Sequence, residues 1–353
     1  MTTFHTKSNI AQGKTCKKGD RFFCRVLLKD SEDKVSAKGA AYQLVRLSDS
    51  TGSLDIFLFS DGAEFRNATQ EDSPVLFDIL FGVGSYRDKP SYEIIQLARV
   101  PASEVTDATL SEYLEKSPVP LSQLKLEFDS AIRSLGPDLK QIVQKLLDEK
   151  FKGFDIWPAA SSVHHDYVHG LLEHTVRMLR QARVLCPLYD VDKDVVTAAI
   201  ILHDAAKTIE YRGPGKLGKT LLGHTHGHIY LAAANFRLYA EAYLENLRAA
   251  NTQAADYGCD GLHMENRWDF LNVEHCILSH HGKREYGAIA LPLTKEAILV
   301  HNIDSADSHL CGLSRHTVDL SPGEMTKDSL LVLDRNPGVV LSPVRRPTPP
   351  PIK

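Results

Sequence analysis

The chain is 353 residues long with a formal net charge of −4 at pH 7, enough sequence for two ordinary domains that each bury a core. The charge argues against a uniformly basic nucleic-acid binder, although a sum over the whole chain can conceal a local basic groove. The six cysteines (Cys16, Cys24, Cys186, Cys259, Cys276, Cys311) are scattered without a C-x-x-C pair, which suggests reduced thiols rather than a zinc ribbon or a disulfide framework.

Residues 1–18 are polar and read as a flexible N-terminus. They contain no apolar core of a signal peptide, and no later run reaches the roughly eighteen charge-free apolar residues of a membrane span. A cytoplasmic protein away from the membrane is expected, able to assemble as a homo-oligomer. From residue 19 to 101 the text changes to short β-rich runs: RFFCRVLLKD, AAYQLVRLSDS, GSLDIFLFS, VLFDILFGVGSY and SYEIIQLARV. Turn signals such as DSTGS and YRDKPS separate them. Five strands, with a short helix around Gly62 to Ala68 between the third and fourth, are the layout of an OB-fold barrel.

The run LSDSTGSLDIFLF (Leu47 to Phe59) resembles the strand-turn-strand signature of many nucleic-acid-binding OB domains. On such a barrel Arg25, Arg46, Phe57, Arg87 and Lys89, with Arg21, Phe59 and Tyr86 nearby, could hold a single strand through backbone charge and base stacking. For any one aromatic, burial in the barrel core is the competing expectation, because strands bury one face by default.

Residues 102–153 are helical and punctuated by Pro118, Pro120 and Pro137, and they read as a linker without chemistry of its own. Residues 154–335 form an all-α domain, and residues 336–353 are a Pro-rich tail, extended or disordered. The fold class is therefore multidomain β + α.

In the all-α domain one helix is predicted from about Asp194 to Glu210, DVVTAAIILHDAAKTIE, apolar until His203 and Asp204. Burying an imidazole and a carboxylate costs several kcal/mol unless something compensates them. A core histidine oriented by its aspartate would be the ordinary explanation of a lone pair. The pair is not alone: His164, His165, His174, His224, His226, His228, His280, His281 and Asp304 all lie in or beside apolar helical segments, and the accumulation favours a bound cation. Around His174 the residues Leu171, Leu172, Val176 and Leu179 mark a buried face, with Glu173 and Arg177 expected to point outward.

The order His174, His203-Asp204, a histidine between 224 and 228, His280-His281, Asp304 resembles the HD phosphohydrolase superfamily. The resemblance implies two divalent ions. Asp204 would bridge them, His174, His203 and Asp304 would complete one site, and His280, His281 and one upstream histidine the other. Nitrogen and carboxylate ligands without thiolates suit manganese, cobalt, iron or magnesium better than structural zinc. For the upstream ligand, TLLGH favours His224 and HIYLA favours His228; His228 is preferred and His224 kept as the alternative, the two lying one helical turn apart. His226 and His169 read as solvated or supporting residues. Lys207, one turn beyond His203, could hold the scissile phosphate, or it could be a surface lysine laid along an apolar helix.

The motifs WPAASSVHHDYVHGLLEHT, ILHDAAKTIE, LLGH with GHIYLA, ILSHHGKREYG and HNIDSADS together look like the YhaM-type 3′-to-5′ exoribonuclease family. In that family an OB-fold precedes a metal-dependent HD domain. The resemblance covers nearly the whole chain, and it implies removal of nucleotides from the 3′ end of single-stranded RNA, sometimes DNA, by a water activated at two metal ions, manganese or cobalt preferred. It also gives His165 a supporting or substrate-binding role in catalysis beside Asp204 and Lys207. This chain departs from many relatives in Ala205-Ala206, where they have Leu-Gly, in the spacing between His224 and His228, and in a polar insertion from Ala249 to Gly261. Two other expectations stand beside this one: an HD phosphohydrolase acting on a small or cyclic nucleotide, and a catalytically silent OB-type nucleic-acid-binding protein.

Overall fold

The computed structural model describes residues 4–5, 8–36, 39–59, 62–71, 74–86, 89–159, 167–213, 219–250, 262–317 and short pieces between 320 and 338. His164, His165, Arg87, the Ala249–Gly261 insertion from 251 onward and the tail beyond 338 lie outside the described residues.

The N-terminal body is an antiparallel sheet of β1 (Arg21–Val35), β2 (Ala41–Asp49), β3 (Gly52–Leu58), β4 (Leu76–Tyr86) and β5 (Lys89–Arg99), in the order β3-β2-β1-β4-β5. Strand β1 serves two partners. Its first half, Arg21 to Leu27, pairs with β4, and its second half, Leu27 to Val35, pairs with β2 across a bulge between Leu28 and Asp30. A strand shared in this way has to coil, and the bulge supplies the bend. Alternation puts Phe22, Cys24, Val26, Val45, Leu47, Leu54, Ile56, Phe77, Ile79 and Phe81 on the buried face, and α2 (Ala63–Gln70) closes one end with Phe65 and Ala68. The helix falls between the third and fourth strands, as the sequence predicts. Among the described residues no ladder joins β3 to β5, so the sheet is open there, and its strand order and inserted helix are those of an OB-like fold.

Two boundaries differ from the sequence reading. Within the stretch expected to be flexible, Asn9 caps α1 (Ile10–Lys14) with a full capping box, and Ile10 is fully buried with its N–H on Asp49 Oδ2 at 2.7 Å. One buried isoleucine and a satisfied cap dock this short segment onto the barrel. The expected linker is likewise part of the helical domain from residue 121 onward. Helices α4 (Leu121–Ser134) and α5 (Pro137–Glu149) bury Leu124, Ile132, Ile142, Val143 and Leu146 in the same core as the helices that follow. An amphipathic stripe needs a partner, and here the rest of the domain provides it. The barrel and the helical domain meet through a small cluster of Leu27, Leu76, Val100, Leu110, Leu114 and Val168, with α3 (Asp107–Tyr113) between them.

The remaining helices are α6 (Gly170–Tyr189), α7 (Lys193–Leu202), α8 (Lys207–Glu210), α9 (Leu221–Thr225), α10 (Gly227–Ala250), α11 (Trp268–Ser279) and α12 (Lys295–Thr317). The single helix expected from Asp194 to Glu210 is two. Helix α7 ends at Leu202, and tight turns span His203 to Ala206, with Lys207 N on Asp204 O at 3.0 Å. On a regular helix consecutive residues diverge by about 100°, so bringing both His203 and Asp204 to one centre requires this break. Glu173 also departs from expectation: it is buried and accepts from Ser117 Oγ at 2.6 Å and Tyr167 Oη at 2.8 Å. Among the described residues no helix is long and apolar enough to cross a membrane.

Candidate metal centre

Five elements deliver side chains to one buried point: α6 brings His174, the turn after α7 brings His203 and Asp204, α10 brings His228, the end of α11 brings His280 and His281, and α12 brings Asp304. Three overlapping groups, His174/His203/Asp304, His203/Asp204/His280 and His228/His280/His281, each have ligand atoms within 4.8 Å of one another.

Each imidazole is held by its Nδ1. His203 Nδ1 donates to Ile200 O at 2.8 Å, His280 Nδ1 to Ile277 O at 2.7 Å and His281 Nδ1 to Tyr286 O at 2.7 Å. His174 Nδ1 donates to Asp307 Oδ2 and His228 Nδ1 to Glu210 Oε2, both at 2.9 Å. A carbonyl or carboxylate oxygen only accepts, so every Nδ1 carries the hydrogen and the Nε2 of the neutral ring is a lone pair. The Nε2 atoms converge. His174 Nε2 lies 3.3 Å from His203 Nε2 and 3.3 Å from Asp304 Oδ1, His203 Nε2 lies 3.4 Å from Asp204 Oδ2, and His228 Nε2 lies 3.3 Å from Asp204 Oδ1.

Among the described residues, Asp204 Oδ1, His228 Nε2 and His280 Nε2 are buried without any hydrogen-bond partner. Three acceptors facing one another in a dry interior repel unless something positive sits among them. A cation coordinated by nitrogen and carboxylate oxygen satisfies all three, so the residues present fit a divalent metal.

Charge in the centre follows from neighbours overriding burial. At Asp204 burial pushes the carboxyl upward, but Lys207 and the surrounding imidazoles outweigh it and hold the group well below the usual carboxylate range. Asp304 is held down likewise, burial being outweighed by hydrogen-bonded His174 and by His203. Burial, reinforced by neighbouring imidazoles, pushes His280 and His281 down, so both rings are neutral. His174 goes the other way: burial would lower it, but the hydrogen bonds to Asp304 and Asp307 raise it to about 9.

Of the two upstream candidates the geometry brings in His228 and leaves His224 exposed on α9. The two are not one turn apart on a single helix, because the chain breaks at His226 and restarts at Gly227, where φ is +72°. Lys207 reaches the centre: its Nζ donates to Asp204 Oδ2 at 2.6 Å and Ala159 O at 2.7 Å. It is not a surface lysine.

Two carboxylates support these rings: Asp307, which the sequence places beside Asp304 without a role, and Glu210, which the sequence reading missed. Asp307 holds His174 on one oxygen and accepts from Arg177 Nε at 2.7 Å on the other, so Arg177 turns toward α12 rather than outward. Glu210 holds His228 and is paired with Lys219 Nζ at 2.9 Å. The available signal was helical spacing, Asp307 lying three residues beyond Asp304 on one face; Glu210 offered none.

A cavity of about 220 Å³ opens beside the centre, lined by Asp204, Lys207, His280, His281 and Asp304 together with Lys283, Tyr286, His301, Ser305, Ser308 and His309.

On the barrel the candidate strand-binding residues divide. Phe57 and Phe59 are 56% and 70% exposed and pack beside Tyr42, ring centroids 5.8 and 5.6 Å away, forming an aromatic strip on the open face of β2 and β3. Arg46 shares that face, exposed and paired with Asp55 at 3.1 Å, and Lys89 is exposed at the start of β5. Arg25 is engaged elsewhere: its Nε and Nη2 donate to both oxygens of Asp78 at 2.7 Å. That bidentate pair fixes β1 to β4 and removes Arg25 from the candidate phosphate contacts.

Residues 171–308 match the family model described as the HD domain. Over 310 residues, 87% of this chain and 90% of the relative, the sequence is 27% identical to the 3′-5′ exoribonuclease YhaM of Bacillus velezensis. No solved structure gives a significant match. With an OB-like sheet, a helical domain and the His/Asp centre in this order along one chain, the protein carries an HD domain and is similar over most of its length to a YhaM-type exoribonuclease.

Proposed function

We propose that the chain is a divalent-metal phosphodiesterase that shortens single-stranded nucleic acid, RNA first, from its 3′ end. The carrying observation is the set of buried, partnerless acceptors on Asp204, His228 and His280, framed by the other ligands. His174, His203, Asp204 and Asp304 would hold one ion and Asp204, His228, His280 and His281 a second, with manganese favoured by the absence of thiolates. Bound there, such ions supply a nucleophilic water at neutral pH and neutralise charge on the phosphoryl oxygens.

The chain's own residues supply the rest. Asp204 presents one oxygen to each half of the centre, Oδ1 toward His228 and Oδ2 toward His203. Lys207 keeps its ammonium charged, since burial lowers its pKa but Asp204 more than restores it; it lines the cavity where charge would develop on a phosphoryl group. Asp307 and Glu210 fix the rings of His174 and His228 through Nδ1 and leave each Nε2 turned to the centre. The Tyr42–Phe57–Phe59 strip gives a strand somewhere to stack, which binds without reading sequence.

The test incubates the full chain and manganese with end-labelled RNA and DNA oligomers. A ladder shrinking from the 3′ end is expected, silenced by chelation and restored better by manganese than by zinc. Internal cuts, or restoration by zinc alone, would contradict the proposal. Hydrolysis confined to free or cyclic nucleotides, with little salt dependence, would favour the small-nucleotide alternative, because only a strand releases many counterions.

A further inference from the structure

The cavity beside the metal centre has a second wall that the chemistry above does not use. It consists of His301, Ser305, Ser308 and His309 from α12, with Lys283 and Tyr286 from the loop after α11. Residues 301, 305 and 308 recur at helical spacing and share a face of α12.

His301 is the most constrained member of this wall. Its Nδ1 donates to His280 O at 2.8 Å, the same lock on a backbone carbonyl that holds His203, His280 and His281. Its Nε2 is therefore a hydrogen-bond acceptor in the neutral ring. Yet among the described residues His301 belongs to none of the groups that could share an ion. Its ring is also pressed onto the backbone at Gly282, where a Cβ would come within 2.1 Å of Cε1 and φ is +74°. A glycine in the left-handed region here leaves room for the ring, which any side chain at this position would strike. The result is an acceptor held at Nδ1, on the same helix face as Ser305 and Ser308, whose hydroxyls contact His309 and Asp304, in a cavity that the cations Lys207 and Lys283 also line.

We infer that this wall holds the sugar of the strand's terminal nucleotide and that His301 accepts a hydrogen bond from its 2′-hydroxyl, so the cavity prefers ribose to deoxyribose. The inference rests on the proposed nuclease function. Lysines suit phosphate oxygens, which only accept, whereas an acceptor locked in place suits a hydroxyl, which donates. The 2′-hydroxyl is the donor that RNA has and DNA lacks, and a site built around such a group discriminates against the analogue without it.

The decisive comparison uses full-length protein with manganese and matched RNA and DNA oligomers, wild type against His301→Asn. Asparagine can still donate to His280 O from a position near the imidazole Nδ1 but has no acceptor where Nε2 was. Bound manganese per chain, measured by elemental analysis, reports whether the centre survives. The expected result is an unchanged metal content and a fall of about tenfold in the RNA-to-DNA ratio of kcat/KM, the worth of one neutral hydrogen bond. Two outcomes overturn the inference alone: a wild-type enzyme that cleaves both strands equally, or a variant that loses activity on both in the same proportion. A wild type that hydrolyses bis(p-nitrophenyl) phosphate but neither oligomer overturns the nuclease reading itself.

Discussion

Metal binding should be paid in protons, and His174 sets the amount. Asp204 and Asp304 are ionised at neutral pH and His280 and His281 are neutral, whereas His174 is raised to about 9 by Asp304 and Asp307 acting against its burial. At pH 7 its Nε2 therefore carries a proton, placed between His203 Nε2 and Asp304 Oδ1, and an incoming cation has to displace it. Two pKa units correspond to about 2.7 kcal/mol, so manganese should bind roughly 100-fold more weakly at pH 7 than on a plateau above pH 9. Between pH 7 and 8.5 log Kd should fall by about one per pH unit. Calorimetric titrations in buffers of different ionisation enthalpy should count about one proton released per chain at pH 7, on filling the half of the centre that contains His174. A Kd independent of pH across that range, with no proton released, would refute the assignment of His174 as a ligand poised in this way.

The same group has a consequence for stability without metal. Its folded pKa lies above the unfolded value near 6.5, so its contribution is complete below pH 6.5 and is lost as pH rises through 9. Chelated protein should therefore show a falling melting temperature between pH 6.5 and 9, and one that is flat or rising there would contradict the reasoning. Asp204→Asn should reduce hydrolysis by at least about a thousandfold while the barrel still binds strands; turnover above that level removes Asp204 from the mechanism. Glu210→Gln should weaken manganese binding by about ten- to a hundredfold through His228, and an unchanged isotherm would show that the ring needs no such support. The double substitution Phe57→Ala and Phe59→Ala should weaken single-strand binding by about ten- to a hundredfold, since stacking is worth about 1–3 kcal/mol per base. Equal affinity in a filter-binding assay would place the strand elsewhere.

The order of histidines and aspartates along the chain was enough to anticipate which of them meet. His174, His203, Asp204, His280, His281 and Asp304 are short polar interruptions in otherwise apolar helices, and burying them is tolerable only if they compensate one another. The five strands and inserted helix of the barrel were equally legible, because strand alternation and turn residues are local properties. What remained hidden depends on distances between elements that no local pattern encodes. The break after Leu202 arises from the need to turn two consecutive side chains toward one centre. Glu173 and Asp307 are buried because Ser117, Tyr167 and Arg177 arrive from other segments to satisfy them.

The choice of His228 over His224, the capture of Arg25 by Asp78 and the reach of Lys207 to Asp204 were likewise decided by packing. Sequence by itself determined the kinds of side chain that meet and the two-part architecture, since composition and periodicity are written residue by residue. Tertiary structure alone decided which nitrogen of each ring faces the centre, because a tautomer is fixed by the partner that the other nitrogen finds.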